Sequence, residues 1–480
     1  MGQEIHRAAD TTEDMHEFLR HLREETALLM RWFQEERFAH CRDGYTIGLE
    51  LETWLVDQNF SPLPENKRFI AAMSDRRVVP ELSQYNAEIN AEPALVGASC
   101  LESVAHTLKK TWQTIQGHMQ KIDGHMLTIG TLPTLRDAML GMDRMSDSER
   151  YHALNTFVLS LRRGQPMHLN IRGRDHLQAV HHDIMLEAAT TSFQVHLQPP
   201  YELLTETFNA SILSSAASVA IAANAPFLFG CDLWDDTRIP LFEQAVCLPG
   251  CALLDGTRQQ RVTFGAEYVQ DSVLELFLEN AHGYPVLLPI ASSRPAEDFH
   301  HIGLQNSTIW RWNRPVVGFG LDGQPSLRVE HRVMSAGPTI DDMVANLAFV
   351  LGLCHTLAQE IPVAHRFMPF TDARDNFYAA ARDGLKAKVT WGSWGKGLLQ
   401  NLILERLLPA ARQGLLQLGV SRDAIDYYLG EIIEERVTHL GTGAAWQRQW
   451  IAAHGRDFKA LTQTYFEGQE SGRPVHTWKV

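Results

Sequence analysis

An α+β fold built on a mainly antiparallel sheet, with helices over one face and a charged cavity on the other, is what this sequence predicts. Three observations lead there. Five strand-like segments alternate apolar residues with Glu, His, Asn, Gln or Arg. Apolar helical stretches fall between them. Beyond Asp375 the chain reads as predominantly helical.

The elements follow in order. Phe18, Leu22, Leu28, Leu29 and Phe33 recur at helical spacing, so Thr12 to about Phe38 is read as one amphipathic helix, broken by Gly44. Tyr45–Val56 and Leu82–Pro93 alternate as strands, and Leu101–Ile122 reads as a helix. A short strand at His125–Gly130 and a helix at Ser146–Arg162 come next. Met167–Arg172 and Ser192–Gln198 are strands with a helical turn or two between them. Thr205–Ala223 is a small-residue helix suited to close packing, whereas Arg261–Asn306 follows no single period. Ser326–Val333 is a strand, and Thr339 or Asp341 caps an apolar helix reaching Glu360.

Bulk properties bound the function. The 480 residues are 45% hydrophobic, ample for a large core, and contain no repeat or low-complexity linker. One main domain, 41–390, is expected between an N-terminal helix (1–40) and a helical C-terminal extension (391–480). Lys and Arg total 43 against 57 Asp and Glu, a net charge of −14, which argues against a nucleic-acid partner. No stretch reaches the roughly 18 uninterrupted apolar residues of a membrane span. The first residues lack an apolar signal core, and Met1-Gly2 lacks the hydroxyl residue that follows in a myristoylation signal. The six scattered cysteines, Cys41, Cys100, Cys231, Cys247, Cys251 and Cys354, make no zinc pattern. A cytoplasmic protein with free thiols is the expectation, and a homo-oligomer is compatible with it.

The polar faces of the strands carry the chemistry. Residues i and i+2 of a strand point the same way. Glu50 and Glu52 therefore share a face, as do Glu88, Asn90 and Glu92; His168 and Asn170; Gln194 and His196; and Arg328, Glu330 and Arg332. A single Glu-x-Glu pair is most often a solvated edge, and a lone strand histidine is most often a hydrogen-bonded core residue. Five such faces together, with five glutamates, two histidines, two arginines and no lysine, point instead to a cavity for divalent metal and phosphate. Motifs of other chemistries are missing. There is no P-loop (Gly392 to Lys396 has the wrong spacing), no H-E-x-x-H, no G-x-S-x-G and no G-x-G-x-x-G after a strand.

With these residues on the page, Gly48-Leu49-Glu50-Leu51-Glu52 resembles the G-x-E-x-E strand of the glutamate–cysteine ligase family, in particular its bacterial carboxylate–amine ligase branch. Glu88 and Glu92, Gly130-Thr131 with Pro133, Arg150-Tyr151, Gln194-Val195-His196, Ala222–Phe227 with Arg238, Glu330-His331-Arg332, Asn376-Phe377 with Arg382, and Gly441–Ala444 match further family elements in order. The resemblance implies a glutamine-synthetase-like fold, a curved, mainly antiparallel sheet forming a funnel with helices outside. It implies Mg²⁺ (or Mn²⁺) held by Glu50, Glu52, Glu88, Glu92, His196 and Glu330, with ATP as co-substrate. Arg332 and Glu52 would be catalytic, Arg332 on the transferring phosphoryl group. Arg238, Arg382, Gln194 and Asn90 would contact ATP or substrate. The implied reaction joins an acid to an amine through an acyl phosphate, as in glutathione biosynthesis, with small amino acids or amines as partners.

Three positions depart from the family pattern: Leu132 and Gln194 stand where it has His, and Asn224-Ala225 replaces a serine-bearing segment. The acid and the acceptor amine stay open for that reason. A metal-dependent hydrolase using the same Glu/His cluster and a catalytically silent nucleotide-binding member are the competing readings.

Overall fold

The computed structural model describes residues 12–39, 44–248, 260–290, 292–320, 323–361 and 363–480. Cys41, Cys251 and the first residues, on which part of the reading above fell, lie outside the described residues. The four described cysteines are all free.

Period-two alternation builds the main sheet. Its strands are β1 (Thr46–Asp57), β2 (Val78–Pro80), β3 (Asn86–Leu95), β4 (Gly124–Leu127), β5 (Ser192–Gln198), β6 (Asn313–Phe319) and β7 (Pro325–Ser335). The order is β6-β7-β5-β1-β3-β2, with β4 also pairing β1, and every pair is antiparallel. Ile47, Leu49 and Leu51, Ala87 and Ile89, Phe193, Val195 and Leu197, and Val329 and Val333 are buried on the apolar face.

Helices cover that face. α1 (Thr12–Gln34) packs on the helices Leu274–Gly283 and His300–Asn306, while α2 (Cys100–Gln120), α3 (Leu204–Ile221) and α4 (Ile340–Glu360) lie against the sheet. In α3 all but two residues are buried, because Ala and Ser let it lie close to β7 and α4. Its serines remain satisfied by donating to carbonyls one turn back, as Ser215 does to Ser211 at 2.7 Å. Thr339 caps α4 in a reciprocal box with Asp342. Asp342 also pairs with Arg436 at 2.7 Å, tying the C-terminal helices to this core. By length and composition α4 could cross a membrane, but it is buried inside the protein, as a core helix is.

Two expectations are corrected here. Met167–Arg172 is a strand, but it pairs with His176–His181 in a separate hairpin and does not join the main sheet. His168 and Asn170 point to solvent on that hairpin. Alternation reveals which residues share a face; it does not reveal which sheet a strand joins. The segment leading to β5 is therefore this second strand and a 3₁₀ turn, Ile184–Ala189. β6 lies in a stretch that was given no assignment above, and it contains Pro315. It sits at the sheet edge, where a missing N–H is tolerated.

Candidate active site

Register brings the polar residues together in rows. Arg314 on β6, Glu330 on β7 and His196 on β5 lie opposite one another, ending at Gly48 on β1. The next row holds Gln194, Glu50 and Asn90, and the next pairs Glu52 with Glu88. Four distant stretches of chain thus place their side chains on one face.

At the first row, His196 Nε2 lies 3.2 Å from Glu50 Oε1 and 3.8 Å from Glu330 Oε1. One ligand atom from each of Glu50, His196 and Glu330 falls within 4.8 Å of the others, and all three residues are buried. Two carboxylate oxygens and an imidazole so close together suit a divalent cation. Arg328 Nε donates to His196 Nδ1 at 3.0 Å, which holds the ring with Nε2 toward the two carboxylates.

Burial pushes the Glu330 carboxyl up, but Arg314 and then Arg332 outweigh it and hold it well below the usual carboxylate range. Arg314 grips both oxygens of Glu330, and Arg332 Nη1 reaches Oε2 at 3.2 Å.

The second group of acids behaves oppositely. Glu52, Glu81, Glu88 and Glu187 line one cavity together with Glu50, Tyr151, Arg150, Arg314 and Arg332. Burial and then the Glu50 carboxylate push Glu88 up to about 7. Burial and then Glu52 push Glu187 up to about 8. Glu81 is raised by burial and then by Glu88, Glu52 and Glu187. Carboxyls crowded in this way favour either protons or a bound cation. Glu52 is oriented by the Ser192 amide at 2.7 Å and by Gln194 Nε2 at 2.9 Å. Asn90 Nδ2 donates to Glu88 Oε1 at 2.7 Å. Gln194 and Asn90 therefore act as braces for the acids.

Three other predicted residues do not converge on that cavity. Glu92 is half exposed and faces Arg76 at 3.6 Å. It lies four residues along β3 from Glu88, about 13 Å at strand rise, so the two cannot grip one ion. Arg382 is exposed and pairs with Asp383. Arg238 is buried; its Nη2 donates to the carbonyls of Arg332 and Met334 at 2.8 Å each, beside the Trp312 ring. It braces the backbone of β7 where one extra residue interrupts the pairing with β5.

The pattern missed Glu81, Glu187 and Arg314. Glu81 precedes β3 in an irregular segment and Glu187 sits on a 3₁₀ turn, so no period marks either. Arg314 lies in β6, a stretch that was given no assignment above.

A family model for glutamate-cysteine ligase family 2 (GCS2) matches residues 46–456, most of the chain. The chain belongs to this family. It is an ATP-dependent ligase that joins a carboxylate to an amine. A search of curated protein sequences finds no match.

Among solved structures, a bifunctional glutathione synthetase from Pasteurella multocida is similar at 11% identity with a TM-score of 0.52, over 92% of this chain and 54% of that one. That likeness is one of fold. The chain spans about half the length of that protein. A glutamate–cysteine ligase from Francisella tularensis in complex with AMP is 13% identical over 89% of both chains, with a TM-score of 0.49.

Proposed function

We propose that this ligase activates the γ-carboxylate of glutamate, or a closely similar acid, with ATP and passes the acyl group to an amino acid or amine. The Glu50–His196–Glu330 cluster carries this reading, because it gathers cation ligands beside Arg314 and Arg332 and shares Glu50 with the acid-lined cavity.

Glu50, His196 and Glu330 would hold one Mg²⁺ or Mn²⁺, and Glu52, Glu81 and Glu88 a second. Bound there, the ions would offset repulsion between a substrate carboxylate and the polyphosphate. Arg332, fixed between Glu330 and the bulge braced by Arg238, binds the transferring phosphoryl group. The substrate carboxylate attacks that phosphorus and ADP leaves, giving an acyl phosphate. The amine nitrogen then attacks the acyl carbon, loses a proton and expels phosphate, leaving an amide. Among the residues matched by family resemblance, Gln194 and Asn90 serve by orienting Glu52 and Glu88. Cytoplasmic placement agrees with the free thiols.

The test is a mass-spectrometric screen for amide products with ATP, Mg²⁺, glutamate and a panel of amines, run beside Arg332→Ala. Amide and ADP formation in the wild type, lost in the variant, supports the reading. ATP consumption without any amide across the panel would overturn it.

A further inference from the structure

Successive residues of a strand point to opposite sides, and two strands use this to line two hollows at once. In the strand Trp310–Arg311, Trp310 lines the acid-lined cavity and Arg311 lines a second cleft. In β6, Arg314 lines the first and Asn313 the second. The cleft is therefore back to back with the candidate active site and shares no residue with it.

Its volume is about 190 Å³. The floor is apolar and buried, with Phe208 and Ile212 from α3 and Phe264 and Val269 from the loop before the helix Leu274–Gly283. Tyr268 lines the cleft too; its hydroxyl is buried and has no hydrogen-bond partner among the described residues. A hydroxyl withdrawn from water in this way favours a ligand that completes it.

Charge collects at the mouth. Glu275 and Glu279 stand one turn apart on their helix. Glu279 pairs with Arg311 at 3.0 Å, and the Glu275 carboxylate accepts from the amides of Asp271 at 2.6 Å and Ser272 at 3.0 Å. Glu267 is exposed and has no ion-pair partner among the described residues. Three carboxylates thus stand against one guanidinium around an apolar floor, an arrangement that attracts cations.

We infer that this cleft binds a small organic amine with an apolar body, its ring or branched chain on Phe208 and Phe264 and its ammonium group at Glu267. The Tyr268 oxygen is available to accept a further N–H. A cavity of about 150 Å³ is enough for benzene, so the cleft has room for one ring or one branched chain and not for a nucleotide. A free amino acid fits less well, because its carboxylate would meet the glutamates. The inference goes beyond the ligase reading and does not depend on it.

Calorimetry on the full chain tests it, with benzylamine as the probe, benzyl alcohol as its uncharged counterpart and methylamine as the cation without a ring. Benzylamine should bind wild type about tenfold or more tighter than either control. Ala266→Trp plugs the mouth from an exposed position and should weaken benzylamine about tenfold or more, and Glu267→Gln about three- to tenfold. Arg332→Ala, in the other cavity, should leave its affinity unchanged. No binding to wild type, equal binding of benzyl alcohol, or an unchanged affinity in Ala266→Trp overturns the inference; so does loss in Arg332→Ala alone, which would put the amine in the catalytic cavity. Failure of the ligase reading is told apart by the amide screen, whose outcome leaves binding in this cleft as it is.

Discussion

Arg314 holds Glu330 with two parallel hydrogen bonds, Nε to Oε2 at 2.7 Å and Nη2 to Oε1 at 2.9 Å, from an edge strand onto its neighbour. Both side chains are buried. The pair keeps Glu330 ionised, so an edge strand sets the charge of one acid of the proposed cation cluster.

Arg314→Met should leave a buried carboxylate short of its main counter-ion and destabilise the protein by about 3–5 kcal/mol. Glu330 is held below its ordinary carboxyl range, so its contribution is present above about pH 4.3 and lost as pH falls through the folded value. Thermal melts from pH 3 to pH 7 should therefore show the gap between wild type and Arg314→Met narrowing toward the acid end. A constant gap across the range would contradict the pairing.

Glu187 works with the opposite sign. Its folded carboxyl titrates at about 8, above the unfolded value of about 4.3, so the protonated fold is favoured at low pH. Stability of the metal-free protein should fall as pH rises between those values. Glu187→Gln keeps the shape and removes the titration, so its melting temperature should change less over that window. An unchanged slope would show that Glu187 is not in the crowded environment described.

Much of this was legible in the chain because β1, β3, β5 and β7 each bury one face, and a period of two then lines up Glu50, Glu52, Glu88, His196, Glu330 and Arg332 without knowledge of pairing. The same rule overreached where it met strand length and topology. Glu92 obeys the alternation but lies too far along β3, within the irregular pairing between Ala91 and Ala94, and His168 belongs to another hairpin. Glu81, Glu187 and Arg314 reach the cavity from a loop, a 3₁₀ turn and a proline-bearing edge, and only tertiary structure can place such residues. Arg238 illustrates a different failure: its residue type suited phosphate, but its hydrogen bonds go to backbone.

Close packing of the C-terminal helices on the core gives a prediction unrelated to catalysis. A Cβ added at Gly352 in α4 would lie 2.1 Å from the Ala411 carbonyl oxygen, which is backbone and cannot swing aside. Gly352→Ala should cost about 1–3 kcal/mol, read as a lower urea midpoint, with nucleotide affinity kept. A wild-type midpoint would mean that these helices are not in contact there.

The central claim is that Glu50, His196 and Glu330 grip one divalent cation, and Mn²⁺ binding followed by electron paramagnetic resonance tests it most directly. Wild type should bind Mn²⁺ without nucleotide, and His196→Ala and Glu330→Gln should each weaken that site about tenfold or more. Equal Mn²⁺ affinity in wild type and both variants would contradict the account.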